Sequence, residues 1–291
     1  MSTVPLSARL PVPEGLSRSG LDLLKRWMRP LLRGLALGLL AFAIFGPILN
    51  MLLWTVAERW FFPNKLPSQW GFAFWGRVFS PRGNALESLT TSVGIALGVV
   101  VLSLALAIPA GYALARLKLP ARAFILLMFL VPQAFPNLPV YMNIARLFYE
   151  VGLNGTITGV ILVHTVHGLV YAVWIATAAF AAVDPSLEEA ARISGAGPTR
   201  TFRDVTLPLA LPGLMASAVF VFLESLDEFT ATFFVGAPEV NTLPLLLYTA
   251  SAGGNYQIAS ITALILLVPS IGFMLLVERF LRADVLAKVG Q

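Results

Sequence analysis

A chain of 291 residues that is 57% hydrophobic and only 12% charged cannot present the surface of a water-soluble globule, whose charged share is about a quarter. Its mean hydropathy of +0.81 reads as an all-α, polytopic membrane helix bundle, although the length alone would allow two soluble domains. The absence of cysteine excludes disulfides, thiol catalysis and cysteine metal sites, and no soluble basic domain presents the net charge of +5 to nucleic acid.

In chain order, residues 1–33 are polar and end in the basic stretch "LKRWMRPLLR". They read as a cytoplasmic tail closing in a short interfacial helix, since no small-residue cleavage pattern follows. A charge-free run over 34–57 is the first span, at about 20 apolar residues per crossing. The segment to residue 84, with three prolines and clustered tryptophan and phenylalanine, suits the headgroup level outside the membrane. Further spans are expected at 88–115 and 123–145, within 151–183 and 205–234, and within 257–277. Six helices result, the core lying over 85–282, with a polar loop at 184–212 and a C-terminal tail at 283–291.

Basic residues orient this ladder. With the N-terminus inside, the inner segments hold Arg9, Arg18, Lys25, Arg26, Arg29, Arg33, Arg116, Lys118, Arg122, Arg192, Arg200, Arg203, Arg279, Arg282 and Lys288. The outer segments hold only Arg59, Lys65, Arg77, Arg82 and Arg146. That excess on one side puts both termini and the 184–212 loop in the cytoplasm.

The loop is ordered beyond what a connection needs. Asp184-Pro185 suits a helix start, and Ser186 followed by Glu189 has capping-box spacing. Leu187, Ala190, Ala191 and Ser194 share one shallow face, with Glu188, Glu189 and Arg192 around the other side. Gly195 can take the left-handed conformation that ends the helix. "GPTRTFRDV" reads as a second short helix, and Pro208 and Pro212 mark the bend into the fifth span. A stiff knob bearing small residues suits docking into another protein better than lying on lipid.

The spacing Glu189-Ala190-Ala191, three residues, Gly195, nine residues, Val205, one residue, Leu207-Pro208 resembles the EAA motif of ABC importer permeases. The resemblance runs from about the second span to the C-terminus and implies the type I, MetI-like importer permease fold in a bacterial inner membrane. It also implies that the loop is a coupling helix seated in a homodimeric cytoplasmic ABC ATPase. Glu188, Glu189, Ala190, Ala191, Arg192, Gly195, Leu207 and Pro208 would then make that coupling, with Glu189 facing basic groups of the ATPase. The chain itself, without a phosphate-binding glycine loop, is expected to hydrolyse no ATP and to bind no cofactor or metal. ATP and magnesium would belong to the ATPase.

Three features bear on the solute. "FLESLDEFTATFF" places Glu224, Asp227 and Glu228 on one helical face, Glu224 lying about 18 Å beyond Pro212 along the axis. Acids at that depth must face partners or water, which reads either as a cation-attracting pathway or as buried hydrogen bonding. His164 and His167 stand at i, i+3 in the fourth span, a spacing open to hydrogen bonding or to a metal. "VPQAFPNLPVYMN", with three prolines, and Pro109 near Tyr112 mark bent geometry, and Gln133 and Asn137 are candidate cavity-lining groups.

The "SLDEF" run with the later "TLPLLLY" is similar to the second permease subunit of spermidine/putrescine importers, which implies a small cationic amine as solute. Permeases for aminoethylphosphonate, ferric iron or another small solute carry similar segments and remain alternatives. An ion channel is the alternative of another class, without any run resembling a selectivity filter, and a membrane enzyme would need a catalytic cluster the loops lack. Six spans alone enclose a pathway poorly. A second permease subunit, a different chain on the subgroup resemblance, is therefore expected, with an extracytoplasmic solute-binding protein and membrane lipid as further partners.

Overall fold

The computed structural model describes residues 18–61 and 63–289, with side chains described outside 18–27, 29 and 280–289. Most of the expected N-terminal tail and the last two residues lie outside the described residues. The chain divides into two units, one ending at Leu53 and the other beginning at Trp54.

Helix α1 (Arg18–Thr55) runs through the basic stretch and the first apolar run without interruption, so among the described residues the basic stretch is not a separate interfacial helix. Neither Pro30 nor Pro47 ends it. Strands β1 (Ala57–Arg59) and β2 (Gln69–Trp70) pair antiparallel, and α2 (Ala73–Val78) follows. This small hairpin is absent from the sequence reading. It is held by stacking of Trp54 on Trp60 and by the Trp60 indole N–H donating to Asn64 O.

The remaining helices are α3 (Ala85–Arg116), α4 (Arg122–Ala134), α5 (Asn137–Glu150), α6 (Ile157–Ala181), α7 (Pro185–Ile193) and α8 (Pro198–Thr201). A π-turn (Phe202–Thr206) leads into α9 (Leu207–Asp227), followed by α10 (Thr230–Val235), α11 (Leu243–Ala252) and α12 (Tyr256–Val289). Among the described residues five stretches are long and apolar enough to cross a membrane, and α4 with α5 makes a sixth if the bent pair is one span.

The third expected span is therefore corrected. Residues 123–145 are not one helix but two, meeting at 93°. Phe135, before Pro136, is extended (φ −101°, ψ 146°), the conformation that a following proline imposes.

Small residues let α3, α6 and α9 approach closely, as helices without a hydrophobic drive in lipid require. A Cβ on Gly111 would stand 2.8 Å from Ala176 Cβ, and one on Gly213 would stand 2.4 Å from Ala179 Cβ. Around these contacts sit Val99, Val163, Val173, Phe180, Val221 and Phe222, all buried. At one end of the group, Phe202 of the π-turn meets Tyr112 and Phe180. The fold thus carries α7 and the π-turn at one end of α3, α6 and α9, and the α9–α10 break toward the other.

Candidate functional site

Helix α7 begins at Asp184, whose carboxylate accepts the Ser186 N–H at 2.9 Å, with Pro185 at the first helical position. Asp184 is thus the cap, and the expected capping box from Ser186 does not form. A carboxylate placed two residues before an unpaired amide takes the bond first. That bond, then the Ser186 side chain, holds the Asp184 carboxyl below the usual carboxylate range. At the other end Gly195 adopts φ +87°. Its N–H bonds Arg192 O at 3.0 Å while Ala196 N–H bonds Ala191 O at 3.0 Å, a Schellman closure.

The exposed surface of α7 mixes small and apolar side chains with the charged Glu189 and Arg192. Glu189 and Ala190 are exposed, Ala191 is half-buried, and Leu187 and Ile193 are 46% and 88% exposed. Ile193 escaped the sequence reading, its signal being an apolar residue beside the terminating glycine.

Glu188 departs from expectation. It does not lie on the outer side with Glu189 but is 5% exposed, facing the chain's own helices. Arg116 Nε–H donates to its Oε1 at 3.0 Å and the Thr206 hydroxyl donates to the same oxygen at 2.9 Å. Arg192 Nη2 stands 3.9 Å from Oε2.

Leu207 and Pro208 open α9 directly from the π-turn. Pro208 lacks the amide that would bond Asp204 O, and its ring crowds that carbonyl; the wider turn absorbs both. Pro212 lies inside α9.

Farther along the chain a polar network joins α5, α6 and the α9–α10 break. Glu228 is not on the helical face with Glu224 and Asp227, because α9 ends at Asp227 and Glu228 is extended (φ −77°, ψ 112°). Its Oε1 accepts Ala231 N–H at 3.0 Å, and its Oε2 accepts the Tyr141 hydroxyl at 3.0 Å. Tyr141 Oη also lies 3.0 Å from His167 Nδ1, whose Nε2 faces Asn137 Oδ1 at 3.1 Å. His164 reaches Ser225 Oγ through Nδ1 and Thr232 Oγ1 through Nε2, each at 3.0 Å.

Both histidines are therefore spoken for by hydrogen bonds. Among the described residues no cluster of three or more metal-ligating side chains forms. Asn137 joins the network, whereas Gln133 is exposed and stays apart from it. Glu224 is half-buried and Asp227 exposed, and no hydrogen bond or ion pair among the described residues engages either carboxylate. Tyr141 and Thr232 were missed in the sequence. A tyrosine after three prolines and a threonine after an acid carry no signal until the fold brings them to the histidines.

Residues 107–283 match the family described as the binding-protein-dependent transport system inner membrane component. The chain belongs to that family. It is a multi-pass inner-membrane permease subunit of an ABC importer and performs no catalysis of its own.

Over 74% of its length, and 80% of the relative's, it is 30% identical to the trehalose transport system permease protein SugB of Mycobacterium tuberculosis. Over 81% of its length, and 88% of the relative's, it is 25% identical to a Salmonella typhimurium protein bearing the name of the 2-aminoethylphosphonate transport permease PhnV. A solved bacterial ABC transporter that imports the acidic polysaccharide alginate has a chain of the same fold. The TM-score is 0.65 at 19% identity, covering 91% of this chain and 99% of that one. These names carry a sugar, an aminophosphonate and an acidic polysaccharide rather than a polyamine, so the spermidine/putrescine resemblance of the sequence is not carried further by them.

Proposed function

We propose that this permease couples to a homodimeric cytoplasmic ATPase through α7 and imports a small solute bearing an ammonium group. The observation that carries the solute reading is the pair Glu224 and Asp227, two acids near the end of a transmembrane helix that no group among the described residues engages. An uncompensated carboxylate in a span is costly unless water or a cation reaches it. The neighbouring Glu228 is spent on the chain's own hydrogen bonds, which narrows the cation-facing set to the other two acids.

Spermidine and 2-aminoethylphosphonate both present an ammonium, and the PhnV relative supports the second of these as strongly as the "SLDEF" resemblance supports the first. The sugar named for SugB is the competing reading, supported by the higher identity. In this proposal a second, different permease chain completes the pathway and an extracytoplasmic binding protein delivers the solute. The ATPase, not this chain, uses ATP and magnesium. No nucleic acid takes part.

Vesicle uptake of labelled spermidine, 2-aminoethylphosphonate and trehalose, with a blot for assembled complex, tests the solute. Asp227→Asn and Glu224→Gln are expected to lower uptake of an ammonium-bearing solute about tenfold, the effect of ~1.4 kcal/mol, at unchanged complex. Trehalose uptake with neither amine transported would overturn the reading, as would loss of complex in proportion to uptake.

A further inference from the structure

Helix α7 reaches the rest of the chain in sequence only through the short links 182–184 and 194–197. What binds it laterally is Glu188. This carboxylate is 5% exposed and meets two groups at hydrogen-bond distance, Arg116 at the last residue of α3 and Thr206 at the last residue before α9. Arg116 in turn donates through Nη2 to Val183 O at 2.7 Å, just past the end of α6. Thr206 is 0% exposed and the Arg116 side chain is 13% exposed, so water competes little for these bonds. One carboxylate therefore ties a nine-residue surface helix to the ends of three membrane helices.

We propose that Arg116, Glu188 and Thr206 form the joint that passes movement of α7 into α3 and α9. Glu188 is on this reading a positioning residue that never touches the ATPase, while Glu189 and Ile193 face outward to it. The inference rests on α7 being the ATPase-docking helix. A charge-assisted bond fixed at both ends transmits displacement in two directions, whereas α7 without it is held to α3 and α9 by no buried ion pair among the described residues. Glu188 shares its Oε1 between an α3 donor and an α9-proximal donor, so neither helix end can shift without the other or without breaking a buried bond.

The sequence has no cysteine, so Phe220→Cys, at an exposed position on α9, gives the single thiol of this chain, and a nitroxide label is placed on it in partners whose cysteines are replaced by serine. The reconstituted complex with its copurifying ATPase is trapped with ATP and vanadate, and the change in label mobility is compared with the rate of ATP hydrolysis. In Glu188→Gln and Thr206→Val the mobility change is expected to shrink about tenfold while hydrolysis per complex stays within about twofold, and Thr206→Ser is expected to restore the change.

Normal mobility changes in both variants would overturn the joint, as would hydrolysis falling in step with mobility, or a label that does not respond in the parent. Ile193→Asp separates this result from the docking assumption. Loss of the copurifying ATPase in that variant upholds docking, so a normal Glu188→Gln then refutes the joint alone. Retention of the ATPase with full hydrolysis refutes docking, and the joint with it.

Discussion

Glu228 shows how one side chain can look like a solute ligand in the sequence and act as a fastener in the fold. One oxygen caps the amide of Ala231 as α10 begins, and the other takes the Tyr141 hydroxyl from α5. Glu228→Ala strips both acceptors, leaving the Ala231 amide unpaired and the Tyr141 hydroxyl with only His167 Nδ1, a loss of about 1–3 kcal/mol for the group left without a partner. Glu228→Gln keeps a carbonyl oxygen for one of the two. The expected outcome is a lowered midpoint of thermal unfolding in detergent for the alanine variant and a smaller shift for glutamine, with transport falling only as folded protein falls. Abolished uptake in Glu228→Gln at wild-type stability would return this residue to the solute pathway. His164 follows the same logic: each ring nitrogen already has a hydroxyl within 3.0 Å, so the pair of histidines holds helices together.

Among elements, the informative contrast lies between two breaks and two glycines. The α4–α5 break was legible because Pro132, Pro136 and Pro139 restrict the backbone locally, although only the fold gives its 93° angle. The α9–α10 break was not legible. No proline or glycine interrupts "LESLDEFTATF", and the apolar pattern runs straight through it. The chain turns there because Glu228 finds Tyr141 from a segment 87 residues away, a contact that no local propensity encodes. The hairpin Ala57–Arg59 with Gln69–Trp70 was hidden likewise, since three residues are too few for an alternation to show.

As for the glycines, Gly195 has open space around it but a φ of +87°, whereas Gly213 is helical and would drive a Cβ to 2.4 Å from Ala179 Cβ. Gly195→Ala is expected to cost about 1–2 kcal/mol locally, unwinding the end of α7 and weakening ATPase copurification at normal yield of folded chain. Gly213→Ala is expected to cost about 1–3 kcal/mol by overpacking α6 against α9, lowering the unfolding midpoint of the whole bundle. Equal effects of the two on thermal unfolding would mean that one of these reasons is wrong.

At the scale of the whole molecule, the class and the ladder of spans were legible because a helix spanning lipid must satisfy its own backbone over a long, nearly charge-free apolar run, which the sequence displays directly. The order of the 184–212 loop was legible because its residues are fixed by local turn chemistry, Gly195 above all. The role of Glu188 was not, since burial depends on Arg116, which stands 72 residues earlier. The sidedness of the bundle rests on charge alone: the loops grouped with 184–212 carry the large excess of lysine and arginine, and cytoplasmic loops retain such residues. The absence of cysteine makes this directly measurable. Thr199→Cys lies exposed in α8, beside α7, and Asn64→Cys lies exposed in the loop between β1 and β2. A membrane-impermeant maleimide applied to intact spheroplasts is expected to label Asn64→Cys and spare Thr199→Cys, with the pattern reversed in inside-out vesicles. Labelling of Thr199→Cys from outside would invert the bundle, and α7 could not then reach an ATPase in the cytoplasm.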